Sequence, residues 1–203
     1  SCTKHIDGQG RVLGGGILSN RKWVNDTLQP FIRNTGPAMS PFTAWVLLKG
    51  IETLGLRVDA GCRAAAGIAD FLAAQPAVTR VWYPTRADHP QRDLAMRQMT
   101  AGGTVVTFEV AGGTEAAFQV MNAFGLIAVS NNLGDSKSLA THPATTTHMR
   151  IGAEERGRLG ITHVVIRVSI GLEDPQDLKD DLAQALATIA PAAAARAAAR
   201  AAE

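Results

Sequence analysis

A lysine between small hydroxyl residues and a glycine-rich stretch opens the chain: Ser1-Cys2-Thr3-Lys4-His5-Ile6-Asp7-Gly8-Gln9-Gly10-Arg11-Val12-Leu13-Gly14-Gly15-Gly16. A lysine amine is a nucleophile toward aldehydes, and serine and threonine hydroxyls donate hydrogen bonds to phosphate oxygens. The combination suits a phosphate-bearing aldehyde: Lys4 forms an imine with the aldehyde carbon while Ser1 and Thr3 bond the phosphate. On spacing alone the same residues also read as an exposed lysine near a frayed terminus, where most lysines are found.

Other residues with chemical potential are scattered along the chain. Arg167 interrupts a β-branched run, Val164–Ile170, and a charge in such a strand should be paired or aimed at a ligand. A polar loop precedes it, Ser130-Asn131-Asn132-Leu133-Gly134-Asp135-Ser136-Lys137-Ser138-Leu139. His142 and His148 stand six residues apart, but a proline intervenes and no third ligand of the right type is near, so a metal site is disfavoured. Histidines and hydroxyls bonding loop backbone is the better reading there. Arg57 reads as a functional cation or, better, as one half of a structural ion pair near a helix. The pairs Gly102-Gly103 and Gly112-Gly113 lack the Gly-Lys-Ser/Thr ending of a phosphate loop and read as turns.

Bulk properties exclude whole classes. The chain has 203 residues, 46% hydrophobic and 19% charged, which is ordinary globular composition. A net charge of +2 and 5% aromatic residues give little support to nucleic-acid or acidic-membrane binding. Two cysteines, Cys2 and Cys62, make neither a disulfide framework nor a metal cluster and read as small buried hydrophobes. No apolar run approaches a spanning length, and no basic-then-apolar leader opens the chain, so a cytoplasmic protein is expected. The start of the chain within the lysine motif reads as a fragment of something longer.

The elements that must position these residues follow from periodicity and caps. Val12–Leu18 reads as a glycine-broken strand and Arg21–Phe31 as a helix disturbed near Pro30, with residues 33–37 a turn. Ser40 and Pro41 suit the N-cap and first position of a long helix, with Trp45, Leu48, Ile51 and Leu54 as its apolar stripe. That helix bends at Gly55 and continues from Val58 through Leu72. Strands are expected at Val78–Tyr83, Thr104–Val110, Leu126–Val129 and Val164–Ile170. Helices are expected through about Met99, from Gly112 to Phe124, over Glu154–Leu159, and from Asp174 with Leu178, Leu182, Leu186 and Ile189 on one face. Residues 190–203 are almost all alanine and read as a fraying helix. The alternation over 76–190 gives an α/β domain on a small, mostly antiparallel sheet, with residues 1–50 the tail of a different domain.

Three separated segments together resemble the Cys/Met-metabolism family of pyridoxal-phosphate enzymes. They are Ser1-x-Thr3-Lys4 with His5, Gly8 and Gly14-Gly15; Asn132-Leu133-Gly134-Asp135 running into Ser138-Leu139 and His142-Pro143-Ala144; and Val165 through Asp174. The wording after Lys4 is most similar to the O-succinylhomoserine sulfhydrylase branch. The resemblance covers the chain to about residue 189, matches only the second half of such an enzyme, and implies a fold-type I PLP-dependent transferase. Residues 1–50 would end the large cofactor domain, 51–190 would form the C-terminal α/β domain with the long linking helix at its start, and 191–203 would be a tail. It further implies that Lys4 holds pyridoxal 5'-phosphate and serves as the catalytic base, that Ser1 and Thr3 bond its phosphate, and that Arg167 pairs with the substrate α-carboxylate. Asn132 would help to close that carboxylate site. The implied reaction replaces the γ-substituent of O-succinylhomoserine by sulfide or another thiol, giving homocysteine. Cystathionine gamma-synthase or gamma-lyase chemistry is the alternative within the family, and a non-catalytic α/β remnant is the alternative from another class. A dimer or tetramer is implied for the whole enzyme, with the pyridinium partner and the ring-stacking aromatic lying before Ser1, so this chain by itself is expected to turn over little.

Overall fold

The computed structural model describes residues 1–189. The alanine-rich tail, expected as a fraying helix from residue 190, lies outside the described residues. A five-stranded sheet forms the frame: β1 (Val78–Trp82), β2 (Val105–Val110), β3 (Ala128–Val129), β4 (Leu139–Thr141) and β5 (Val165–Ser169), in the order β1-β2-β5-β4-β3. Every pair is antiparallel except β3 with β4, as a mostly antiparallel sheet requires. The short buried strand β4 was not expected. It lies inside what reads as a loop, because three residues are too few to show an alternation of their own.

Alternation along β2 sorts the sheet into two faces. Val106, Phe108, Val110, Ile166, Val168 and Ile170 form the buried face. It is covered by α4 (Leu54–Ala73), α6 (Gly113–Ala123) and α8 (Pro175–Leu186). Leu178, Leu182, Leu186 and Ile189 are all buried, so the expected face of the last helix is the one it packs. The other face carries Trp82 on β1, Thr107 on β2, Arg167 on β5 and Thr141 on β4. Their registers place these four side by side in one row across the sheet. Two further helices, α5 (Arg92–Gln98) and α7 (Ala153–Arg158), sit in the connections.

The first 53 residues differ most from expectation. Val12–Leu18 has no strand ladder among the described residues, and Leu13 and Leu18 are more than four-fifths exposed. The helix expected to falter at Pro30 instead runs as α1 (Arg21–Trp23), a π-helical turn Val24–Leu28 and α2 (Gln29–Thr35). Proline at the second position of α2 lacks an N–H, and the widened turn before it accommodates the ring. Helix thus continues through residues 33–35 and ends at Gly36, whose φ of 82° closes it in the left-handed region. Ser40 caps α3 (Pro41–Glu52) by accepting the Thr43 N–H at 3.0 Å. The long helix breaks at Thr53, two residues before Gly55, where φ is −114°. Its apolar stripe is not its buried face: Trp45, Leu48 and Ile51 are more than half exposed, while Val46, Leu47 and Gly50 are buried. No helix of the described residues is long and apolar enough to cross a membrane.

A buried carboxylate fixes α8 against the connection into β3. Asp181 accepts the N–H groups of Gly125 (2.7 Å), Leu126 (3.0 Å) and Ile127 (2.9 Å). Burial opposes its ionisation, but the three amides and Gln184 outweigh that and hold its carboxyl below the usual carboxylate range. A carboxyl lowered by folding adds stability above its unfolded pKa, and that contribution fades as pH falls through the folded one. Asp181→Ala is expected to lose about 3 kcal/mol at pH 7, the scale of charge-assisted hydrogen bonds plus stranded amides. In urea titrations the gap between parent and variant should begin to narrow below pH 3.8, the unfolded reference value, and go on shrinking as pH falls through the lower folded one. Equal stabilities at pH 7 would contradict this role.

Candidate active site

The lysine lies in a tight turn, not in a helix or strand. Gly8 N–H donates to the Lys4 carbonyl at 2.8 Å and Asp7 N–H to that of Cys2 at 3.0 Å. The turn is closed on the glycine-rich stretch by Cys2 N–H donating to the Gly14 carbonyl at 2.8 Å. The Thr3 hydroxyl accepts the Gly14 N–H at 3.0 Å and donates weakly to its carbonyl at 3.3 Å. Asp7 is fully buried beneath the turn and pairs with Arg11 through Nε at 2.8 Å and the backbone N–H at 2.6 Å. Burial disfavours its charge, yet these Arg11 bonds and the Val12 N–H bring its pKa down. Ser1 is exposed, and Cys2 is only half-buried, unlike Cys62.

Arg57, from the first turns of α4, holds this turn from below. Its Nη1 donates to the His5 carbonyl at 2.8 Å, and its Nη2 to those of Gly50 at 2.6 Å and Ile6 at 3.4 Å. The expected ion pair is replaced by carbonyls, and Arg57 has no carboxylate partner among the described residues. Two glycines make the approach possible. A Cβ on Gly50 would sit 2.2 Å from the Ile6 carbonyl oxygen, and one on Gly8 would sit 1.9 Å from Arg57 Nη1.

The polar loop ahead of β4 closes on the other side of the turn. Ser136 N–H donates to the Gly8 carbonyl at 2.7 Å. His5 Nε2 is 2.8 Å from the Thr104 hydroxyl, and burial and the Arg57 charge both lower the pKa of the ring. Lys4 Nζ donates to Asn132 Oδ1. The ammonium has only protons to offer, so it is the amide oxygen that turns toward it. One residue earlier, the Asn131 carbonyl accepts from Arg167 Nη2 at 3.1 Å, and Thr141 donates to the Asn131 side chain at 2.9 Å. Consecutive residues of one loop thus touch Lys4 and Arg167, 163 positions apart in sequence. Lys4, Asn132 and Arg167 are brought together; Thr3 lies on the same turn, with its hydroxyl engaged by Gly14, and Ser1 stays outside these contacts.

Arg167 has no carboxylate partner among the described residues, and burial pushes its pKa down. Its Nε is buried without an acceptor. It borders a cavity of about 470 Å³ with Arg80, Trp82, Thr107, His148 and Arg158. A second cavity, about 550 Å³, lies along the same sheet face beside His5 and Thr104. His142 is buried and bonds the Thr145 hydroxyl (2.8 Å) and the His163 carbonyl (2.9 Å), the backbone role expected of it. Among the described residues no group of three His, Cys, Asp or Glu could hold a metal.

Chemically the site offers a half-buried primary amine held by a neutral amide, and nearby a guanidinium with an unspent donor. No carboxylate pairs with the amine among the described residues. That suits a carbonyl-bearing group at Lys4 and an anion at Arg167. The family described as Cys/Met metabolism PLP-dependent enzyme matches residues 1–187. The chain is 54% identical to the O-succinylhomoserine sulfhydrylase of Mycobacterium tuberculosis over 192 residues, covering 92% of this chain and 47% of that protein. It is 44% identical to the O-succinylhomoserine sulfhydrylase of Pseudomonas aeruginosa over 189 residues, covering 93% and 47%. A solved cystathione gamma lyase of Micromonospora echinospora superposes with a TM-score of 0.87 at 35% identity, over 92% of this chain and 49% of that one. The chain spans about half the length of the curated relatives it matches.

Because the Lys4 turn meets α3 through Gly50, Gly50→Ala is expected to force the turn away from Arg57. A loss of at least about 2 kcal/mol should follow, more than the small helix-propensity gain of alanine. Chemical denaturation measures it, and a variant as stable as the parent would show that the close approach does not constrain the turn.

Proposed function

The chain belongs to the Cys/Met metabolism PLP-dependent enzymes, and from that premise we propose that it carries the lysine and carboxylate-binding side of a site for γ-replacement. The substrate proposed is O-succinylhomoserine, with sulfide or a thiol as the incoming group and homocysteine as the sulfide product. The observation that carries this reading is the bridge through Asn131 and Asn132, which sets an amine and a guanidinium with a free buried donor on one loop.

The residues present fit one wall of a pyridoxal phosphate site. Lys4 has the required amine, and its partner is a neutral amide that can be displaced without stranding a charge. Thr3 and Ser1 would hold the phosphate; the Thr3 hydroxyl donates only at 3.3 Å, so its proton can be redirected. When bound, the cofactor supplies an electron sink for charge developing on a substrate α-carbon. Lys4 Nζ would take the α-proton, pass it on, and take a second proton from Cβ as the γ-substituent leaves with its bonding pair; once the thiol has added at Cγ, the same amine would return protons to Cβ and Cα. Arg167 holds the α-carboxylate through Nε and Nη2, the bidentate geometry for which a guanidinium is suited. The Asn132 amide nitrogen, left free when its oxygen faces Lys4, is a further donor to that carboxylate.

In this reading residues 1–50 end the cofactor domain and 51–190 form the C-terminal domain. The acidic partner of the pyridinium nitrogen and the ring-stacking aromatic come from elsewhere in a protein of the relatives' full length. Exposed Leu13, Leu18, Phe31, Phe42, Trp45 and Leu56 support packing of this part against further protein, and with it the dimer or tetramer proposed for the whole enzyme. Cystathionine gamma-synthase or gamma-lyase chemistry is the second reading, supported by the likeness to a cystathione gamma lyase structure. The nucleophile and leaving group accepted by an enzyme of full length decide between them.

Incubation with pyridoxal phosphate and reduction with borohydride should label the peptide that carries Lys4. Lys4→Ala should abolish both the label and the visible absorbance band. A label that persists in Lys4→Ala, or that falls on other lysines only, overturns the assignment.

A further inference from the structure

The cavity beside Arg167 holds more guanidinium groups than an α-carboxylate requires. Arg80, Arg158 and Arg167 line it, and no aspartate or glutamate does. Arg158 is already satisfied by Glu155, at 2.7 and 2.8 Å from both carboxylate oxygens. Arg80 is not. Its guanidinium lies over the Trp82 ring, 4.6 Å from the centroid, and among the described residues it has no hydrogen bond or ion pair. Glu109 stands opposite Arg80 in the β1–β2 register, yet it is not within ion-pair distance and accepts only from Thr162, at 3.5 Å. A stacked guanidinium is held flat while its N–H edge stays available, the arrangement suited to a planar carboxylate.

Spacing gives the ligand its length. Trp82 and Arg167 belong to the same cross-sheet row, separated by the single residue Thr107. Two strand spacings put their backbones about 10 Å apart. The ester of homoserine with a four-carbon diacid spans roughly 10 Å between its two carboxylates when extended. The lining of the cavity also includes the apolar residues Pro143, Leu159, Ile161 and Val165, which suit the methylenes of such a chain.

We propose that Arg80, held on Trp82, binds the terminal carboxylate of a dicarboxylic acyl group and so selects succinyl over acetyl esters. The assignment rests on the functional reading above, since Arg167 must hold the other carboxylate. An acetyl ester would leave the Arg80 end of the cavity without a countercharge. A diacid fills both ends.

Titration of the whole chain, without cofactor, by calorimetry with O-succinylhomoserine and with O-butyrylhomoserine tests this. The butyryl ester has the same carbon count and one charge fewer. The succinyl ester should bind saturably and at least tenfold more tightly than the butyryl ester. Arg80→Met, which keeps the stem and removes the charge, should weaken the succinyl ester at least tenfold and leave the butyryl ester unchanged, and Arg80→Lys should restore part of the loss. The side chain is exposed, so circular dichroism of each variant should match the parent. Absence of saturable binding of the succinyl ester, or binding indifferent to Arg80→Met, overturns the assignment. Borohydride labelling of Lys4 is read on parallel samples given pyridoxal phosphate. Normal labelling without preference for the succinyl ester removes only the Arg80 site, whereas Arg80-dependent binding of the succinyl ester without any Lys4 label removes the functional reading.

Discussion

A turn that carries a reactive side chain needs its carbonyls bonded by something, and here a guanidinium does it. Neither a helix nor a ladder satisfies the oxygens of His5 and Ile6; Arg57 reaches them from α4 and takes the Gly50 carbonyl at the same time. One planar cation thereby joins the Lys4 turn to the end of one helix and the start of the next. The geometry is possible only because Gly8 and Gly50 leave room for it. A buried carbonyl without a donor costs about as much as a lost hydrogen bond, so the turn and the α3–α4 junction stand or fall together.

The rest of the site is built by closing a second segment over that turn. The loop from Ser130 to Ser138 is itself anchored to the sheet: Gly134 N–H bonds the Ser169 hydroxyl, and Ser138 bonds Glu173 and Gly171. Lys4 therefore meets a rigidly held amide, and Arg167 meets a rigidly held carbonyl. The sheet contributes in a second way. Helices α4, α6 and α8 cover one face, and the other face lines up Trp82, Thr107, Arg167 and Thr141 along a single row. Polar and aromatic residues at alternate positions of strands that are otherwise apolar form the floor on which a charged substrate would lie.

Much of this was legible in the sequence where one local rule dominates. The Ser40 and Asp174 caps, the apolar face of α8 and the strong strands all appear as expected. Arg167 stood out because a charge within valines demands a reason. The failures share a cause, which is that their determinants are not local. Whether Trp45 or Val46 faces inward on α3 depends on where the Lys4 turn packs, and both choices have helical spacing. Val12–Leu18 has strand composition but finds no partner strand. Strand β4 owes its existence to pairing with β5 rather than to its three residues. Arg57 read as an ion pair because sequence displays carboxylates and does not display unsatisfied carbonyls. Asn131 and Thr141 carried no signal at all, since backbone and hydroxyl contacts to Arg167 follow only from register.

The central claim is that the loop seats Lys4 from a distance, and Gly134 tests it without altering the lysine. Gly134 has a φ of 74°, and a Cβ there would lie 2.7 Å from the backbone nitrogen and Nδ1 of His5, the residue beside Lys4. The decisive measurement is the yield of borohydride-fixed pyridoxal phosphate on Lys4 in Gly134→Ala, against the parent at equal folded fraction by circular dichroism. The account predicts a fall of at least tenfold while the fold is retained. A variant that folds normally and labels as fully as the parent would contradict it.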